Sequence, residues 1–165
     1  YKSQLAKTEK EKQKAKEKRG RQAEWVANTL KERYGSDLRG GDFVVLGDFN
    51  AHYEAEELQP LLQLPGIENV VQSRPLGQLK ISGQKTVSDT DRWTHYFEDE
   101  RTTSQLDYIL LSPTLAEKSA EEKVTVEKRG LANYVKAYTG DRFDTVGPRD
   151  TEASDHCALF TTLQI

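Results

Sequence analysis

Apolar residues fall in short separated runs along the chain, each bounded by turn residues. The densest is Phe43-Val44-Val45-Leu46, followed by Gly47-Asp48-Phe49-Asn50. Four apolar residues in a row, two of them β-branched, predict a buried central strand. Gly47 then lets the chain turn, and Asp48 and Asn50 set polar groups just past the strand end. A plain strand-ending turn explains this stretch equally well when it is taken alone.

Around this run the pattern predicts the remaining elements. Residues 1–5 read as the end of a strand. Residues 7–19 are rich in Lys, Glu, Gln and Ala with no apolar face, which predicts a solvated loop, a frayed helix or a disordered segment; an arm touching nucleic acid is the alternative. From Arg21 onward, Ala23, Val26, Ala27, Leu30 and Tyr34 recur at helical spacing, Gly35 supplies the stop, and Trp25 is assigned to the core or its edge. Residues 54–63 predict a short helix containing Pro60, with Leu58, Leu61 and Leu62 inward. A short strand is expected within 66–72, a long polar loop over 73–92, and strands at 93–97 and 105–111 that pair as an antiparallel hairpin. A strand at 123–127, a helix at 131–138, a mobile connection at 139–153 and a last strand at 156–163 complete the reading.

Composition narrows the picture. The chain has 165 residues, at most one domain, and 35% of them are apolar. Its single cysteine, Cys157, excludes an internal disulfide and gives no support to a zinc cluster; a small buried filler is the expected role. No apolar run approaches membrane-spanning length. Residues 1–33 hold 11 of the 24 Lys/Arg and 5 of the 27 Asp/Glu, so the rest of the chain is strongly acidic. An acidic body argues against broad phosphate-backbone binding and suits a site that collects divalent cations.

Three polar points on apolar strands carry the chemistry. Asp107 sits among Leu106, Tyr108, Ile109, Leu110 and Leu111, where a carboxylate is costly unless paired, hydrogen-bonded or metal-bound. Ser154-Asp155-His156 stands directly before Cys157-Ala158-Leu159-Phe160. An Asp107–His156 pair would fix the imidazole tautomer and raise the basicity of the free nitrogen. Asp48 and Asp155 then remain as hard oxygen donors of the type that magnesium, manganese or calcium prefers, and Asn50 offers an amide to a phosphate. The set suits metal-assisted hydrolysis of a phosphate ester. A structural ion pair at Asp107 and a simple cap at Ser154-Asp155-His156 are the alternatives.

Gly-Asp-Phe-Asn at 47–50, Ser-Gln-Leu-Asp-Tyr-Ile-Leu at 104–110 and Ser-Asp-His at 154–156 resemble the last three motifs of the endonuclease/exonuclease/phosphatase superfamily. Tyr1-Lys2-Ser3 and Arg21-Gln22-Ala23 are similar to the strand and helix before Gly-Asp-Phe-Asn in bacterial members. The resemblance implies an α/β (α+β) DNase I-like four-layer sandwich, with residues 1–165 as the C-terminal part of one domain, a mostly antiparallel sheet and flanking helices. It implies that Asp48 orients or deprotonates the attacking water, that Asn50 binds the scissile phosphate and helps hold a metal, and that Asp107 orients His156. Asp155 becomes a metal ligand, and His156 contacts the phosphate as acid–base or electrostatic stabiliser. The implied ion is Mg2+, or Mn2+ or Ca2+ in its place. Trp93 and Tyr96 become candidates to stack on substrate, with core packing the favoured alternative. The substrate class implied is a phosphodiester, nucleic acid among the options, cleaved by a nuclease-type phosphodiesterase; a lipid or inositol phosphodiesterase or phosphatase and a non-catalytic scaffold are the rivals. Leu46 before Gly47, in place of Trp, departs from the inositol-phosphatase signature. The family's first half, which carries further metal ligands, has no counterpart here, so a longer natural protein or a companion chain is expected to supply it and the fragment alone is expected to be inactive.

Overall fold

The computed structural model describes residues 8–152 and 154–165; the strand end expected at residues 1–5 lies outside them. Helix α1 spans Glu9–Tyr34. Thr8 starts it: its hydroxyl accepts from the Glu11 amide while the Glu11 carboxylate accepts from the Thr8 amide, which satisfies two otherwise orphaned N–H groups. Gly35, at φ 87°, ends it. Most of the 7–19 stretch is therefore helical and continuous with the segment expected to begin at Arg21. Ala15 and Arg19 are buried and extend the stripe of Ala23, Ala27 and Leu30. A charged side chain at a core position had hidden that stripe. Trp25, expected in the core, is 70% exposed. It stands two residues from both Ala23 and Ala27, which on a helix of about 3.6 residues per turn puts it on the opposite face.

The strands are β1 (Val44–Asp48), β2 (Glu68–Asn69), β3 (Leu79–Ile81), β4 (His95–Phe97), β5 (Thr102–Ser104), β6 (Asp107–Leu111), β7 (Val124–Glu127) and β8 (Ala158–Thr161). They form a sheet of order β1-β6-β2, a sheet of order β3-β7-β8 and the β4-β5 hairpin. All pairings are antiparallel except β3 with β7. The architecture is mixed α/β of the α+β kind, as the sequence predicts. Short helices α2 (Gln59–Leu62), α3 (Val70–Ser73) and α4 (Pro113–Lys118) complete it. Leu58 and Leu61 are buried as expected.

Several expectations are corrected. The central strand is β6, and β1 is an edge of its sheet among the described residues, with Leu46 69% exposed. Alternation explains the division: Tyr108 and Leu110 pack into the core under α1, whereas Ile109 and Leu111 pack into a second core with β3, β7 and Trp93. Residues 93–97 do not pair with 105–111; β4 pairs with β5, because the chain turns tightly at 98–101 and β6 then leaves for the other sheet. The polar loop at 73–92 contains β3. Residues 131–138 form turns, not a helix. The Arg142 guanidinium donates to the carbonyls of Leu131, Ala132, Val135 and Tyr138, replacing the bonds a helix would make.

Lys128 is buried between these layers. Its ammonium donates to the Asp91 carbonyl at 2.7 Å and lies 3.4 Å from the Trp93 ring centroid. Burial pushes its pKa down from 10.5 to about 7, against the pull of Cys157 and Asp91. The unfolded chain keeps this proton up to about pH 10 while the folded chain releases it above about pH 7, so the group makes folding more favourable as pH rises through that interval. Lys128→Met is expected to flatten that dependence and to stabilise the protein at pH 6 by about 1–3 kcal/mol, since the carbonyl and the ring already offset part of the burial cost. Thermal denaturation of both proteins at pH 6, 8 and 10 checks it; parallel curves would contradict it.

Candidate active site

The site is assembled from strand ends. Asp107 opens β6 and Asp48 closes β1, and the register sets them directly opposite each other. Opposed residues of an antiparallel pair share a face, and two carboxylates so placed repel unless a cation or donor stands between them. Asp48 answers in part through its own turn. Its Oδ1 accepts from the Asn50 amide at 2.8 Å and its Oδ2 from Asn50 Nδ2 at 2.7 Å. Asn50 sits at φ 51°, the left-handed region that asparagine tolerates better than most side chains. Among the described residues, one amide hydrogen and the amide oxygen of Asn50 have no partner.

His156 meets Asp107 from the far end of the chain. Its Nδ1 lies 2.8 Å from Asp107 Oδ2. A carboxylate only accepts, so Nδ1 carries the proton and Nε2 is the free nitrogen. The hydrogen bond to Asp107 raises the imidazole pKa above its ordinary value; burial opposes this, and the Asp107, Asp48 and Asp155 charges add to it. Thr94 fixes the spacing. Its buried hydroxyl accepts from the Leu106 and Asp107 amides, both at 3.0 Å, and its carbonyl accepts from the Cys157 amide at 2.7 Å. Cys157 itself is buried, as expected, and burial raises its thiol pKa to about 12.

Asp155 turns the other way. Its Oδ2 accepts from His95 Nε2 at 3.2 Å. Burial lowers the His95 pKa, and the hydrogen bond to this carboxylate opposes that shift. Burial works against ionisation of Asp155, but the His95 hydrogen bond and charge hold its carboxyl below the usual range. His95 backbone-pairs with His156, and their ring centroids are 4.6 Å apart. Two groups of possible metal ligands result, Asp48 with Asp107 and His156, and Asp155 with His95 and His156; within each, ligand atoms lie within 4.8 Å. His156 belongs to both, so Asp48 and Asp155 meet through it. Two cavities adjoin the two groups. The larger, of about 810 Å3, is lined in part by His95 and Asp155, and the smaller, of about 250 Å3, by Asp48 and Asn50.

Sequence reasoning missed His95, whose only signal was an imidazole inside the aromatic run Trp93-Thr94-His95-Tyr96-Phe97. Trp93, considered for stacking on substrate, is 5% exposed with its ring under Lys128, and so is a core residue. Tyr96 is buried in the same core and borders the larger cavity. A model of the endonuclease/exonuclease/phosphatase family matches residues 14–156, most of the chain and every residue of the site. The chain belongs to that family. No curated protein and no solved structure matches it. The family is one of phosphoester hydrolases that commonly use divalent metals, and the carboxylate groups described here are candidate ligands for one. No helix among the described residues is long and apolar enough to cross a membrane.

Proposed function

We propose that this protein is a metal-dependent phosphodiesterase of nuclease type. The observation that carries the reading is the 2.8 Å contact of His156 Nδ1 with Asp107 Oδ2, made where Asp48 stands in register across the strand pair. A lone surface histidine would need no such partner, and two facing carboxylates without a catalytic use would be a net cost.

The donor set fits a hard divalent cation. Asp48 with the Asn50 side-chain oxygen on one side of His156, or Asp155 on the other, would hold it, with Mg2+ or Mn2+ matching their oxygen chemistry. When bound, the ion supplies neutralisation of phosphoryl oxygens and a lowered pKa for water. The chain's own groups do the rest. Asp48 orients the attacking water and accepts its proton. Asn50, held by its two bonds to Asp48, turns its free amide hydrogen to the phosphate. Asp107 keeps His156 in one tautomer, so that Nε2 faces the phosphorus centre and serves the charge that develops there.

The test uses bis-p-nitrophenyl phosphate, a diester with no recognition elements. Turnover is expected with Mg2+ or Mn2+ once the chain is joined to the first half of its domain, and its abolition by EDTA is expected to reverse when the ion is restored. Specific nucleic-acid or lipid binding without turnover in either metal would point to a scaffold that has kept only the fold.

A further inference from the structure

The cavity of about 810 Å3 and the cavity of about 250 Å3 have one lining residue in common, Arg19 of α1. One holds the His95–Asp155 side of the centre and the other the Asp48–Asn50 side. Arg19 therefore borders both cavities beside the centre.

Arg19 is placed there by a fixed contact. Its side chain is 9% exposed, and Glu57, equally buried, accepts from Nε at 3.2 Å and from Nη2 at 2.6 Å through the same Oε1. A guanidinium has five N–H donors, and this pair uses only one edge of it. Nη1 is buried and has no hydrogen-bond partner among the described residues. A buried charged donor left without a partner is costly. A helix-to-turn brace alone would be served by any residue that closed the contact with Glu57. An arginine with an unpaired edge is the side chain that reads phosphate oxygens in pairs. The charge balance agrees: Asp48, Asp107 and Asp155 surround the centre, and a phosphodiester adds a further negative charge.

We propose that Arg19 is a phosphate-binding residue of this site. Its guanidinium, anchored by Glu57, donates to a non-bridging oxygen of the phosphodiester held beside Asp48, Asn50 and His156. This rests on the phosphodiesterase reading for the identity of the ligand, but it is tested without metal or turnover.

Inorganic phosphate titrated into the metal-free protein is expected to shift the Arg19 Nε–Hε NMR signal saturably, the signal being identified by its loss in Arg19→Lys. Arg19→Lys keeps the charge and the reach to Glu57 but loses the fork, and is expected to weaken phosphate about tenfold. An Arg19 signal that stays still to saturation, or equal affinity in the two proteins, overturns the proposal. Should the lysine variant not fold, the wild-type titration with assignment through bonds to the backbone decides alone. An active enzyme with a silent Arg19 signal defeats only this proposal. A responsive Arg19 in a protein with no turnover upholds the phosphate site and defeats the hydrolase.

Discussion

In the intact protein, with the first half of the domain supplied, His156→Ala is expected to lower turnover of bis-p-nitrophenyl phosphate by about 100- to 10,000-fold, the range for losing a positioned acid–base group. The imidazole has one side-chain bond, to Asp107, and lies beyond the hydrogen-bonded body of β8. Its loss should spare the fold and strip the centre of the imidazole that Asp107 orients. Alanine also leaves Asp107 facing Asp48 with no donor between them. Asp107→Asn is expected to follow with a smaller loss: the amide keeps the shape but accepts more weakly from Nδ1, so the tautomer is no longer held. Steady-state kinetics in saturating Mn2+, with circular dichroism to confirm folding, measures both. Undiminished turnover in His156→Ala rejects the hydrolytic assignment.

Thr94→Val is the second large effect. The swap keeps the volume and removes one oxygen. That oxygen accepts from two amides, those of Leu106 and Asp107, in a place where Thr94 has no exposure. Valine leaves both amides without an acceptor at a cost of about 1–3 kcal/mol each. A loss of about 2–4 kcal/mol is expected, which for a chain of this length lowers Tm by roughly 5–15 °C. Activity at 20 °C should also fall, because the same amides hold Asp107 at its distance from His156. Thr94→Ser, which keeps the hydroxyl, is expected to recover most of both. Equal melting temperatures for the valine and serine variants would show that the hydroxyl does not hold the strand ends.

The Asp107–His156 pairing was legible because each residue broke a local rule. An aspartate on an apolar strand and an imidazole at a strand start both require partners, and the requirement can be read without knowing the path between them. What is set by distant neighbours could not be read. The apolar run at 43–46 has the composition of a central strand, yet β6 took that place by pairing with both β1 and β2. Residues 131–138 carry a helical apolar pattern, and its inward positions Leu131, Val135 and Tyr138 are indeed buried. The backbone is not helical, because a side chain four residues beyond the segment takes its carbonyls. His95 and Arg19 escaped notice for a related reason. Each occupies a position that pattern rules assign to packing, and only the contacts with Asp155 and Glu57 reveal another use.

Asp48 is the last residue of its strand, Asp107 the first of its own, and His156 pairs with the start of another. The reactive groups are thus carried at strand ends, while the connections at 98–101 and 139–152 border the larger cavity, through Glu98, Asp99, Glu100 and Arg149, without supplying any. Insertions and exchanges in those connections can redraw which molecules are admitted while leaving the bond-breaking apparatus in register. A lineage built on this plan is free to change diet without relearning chemistry.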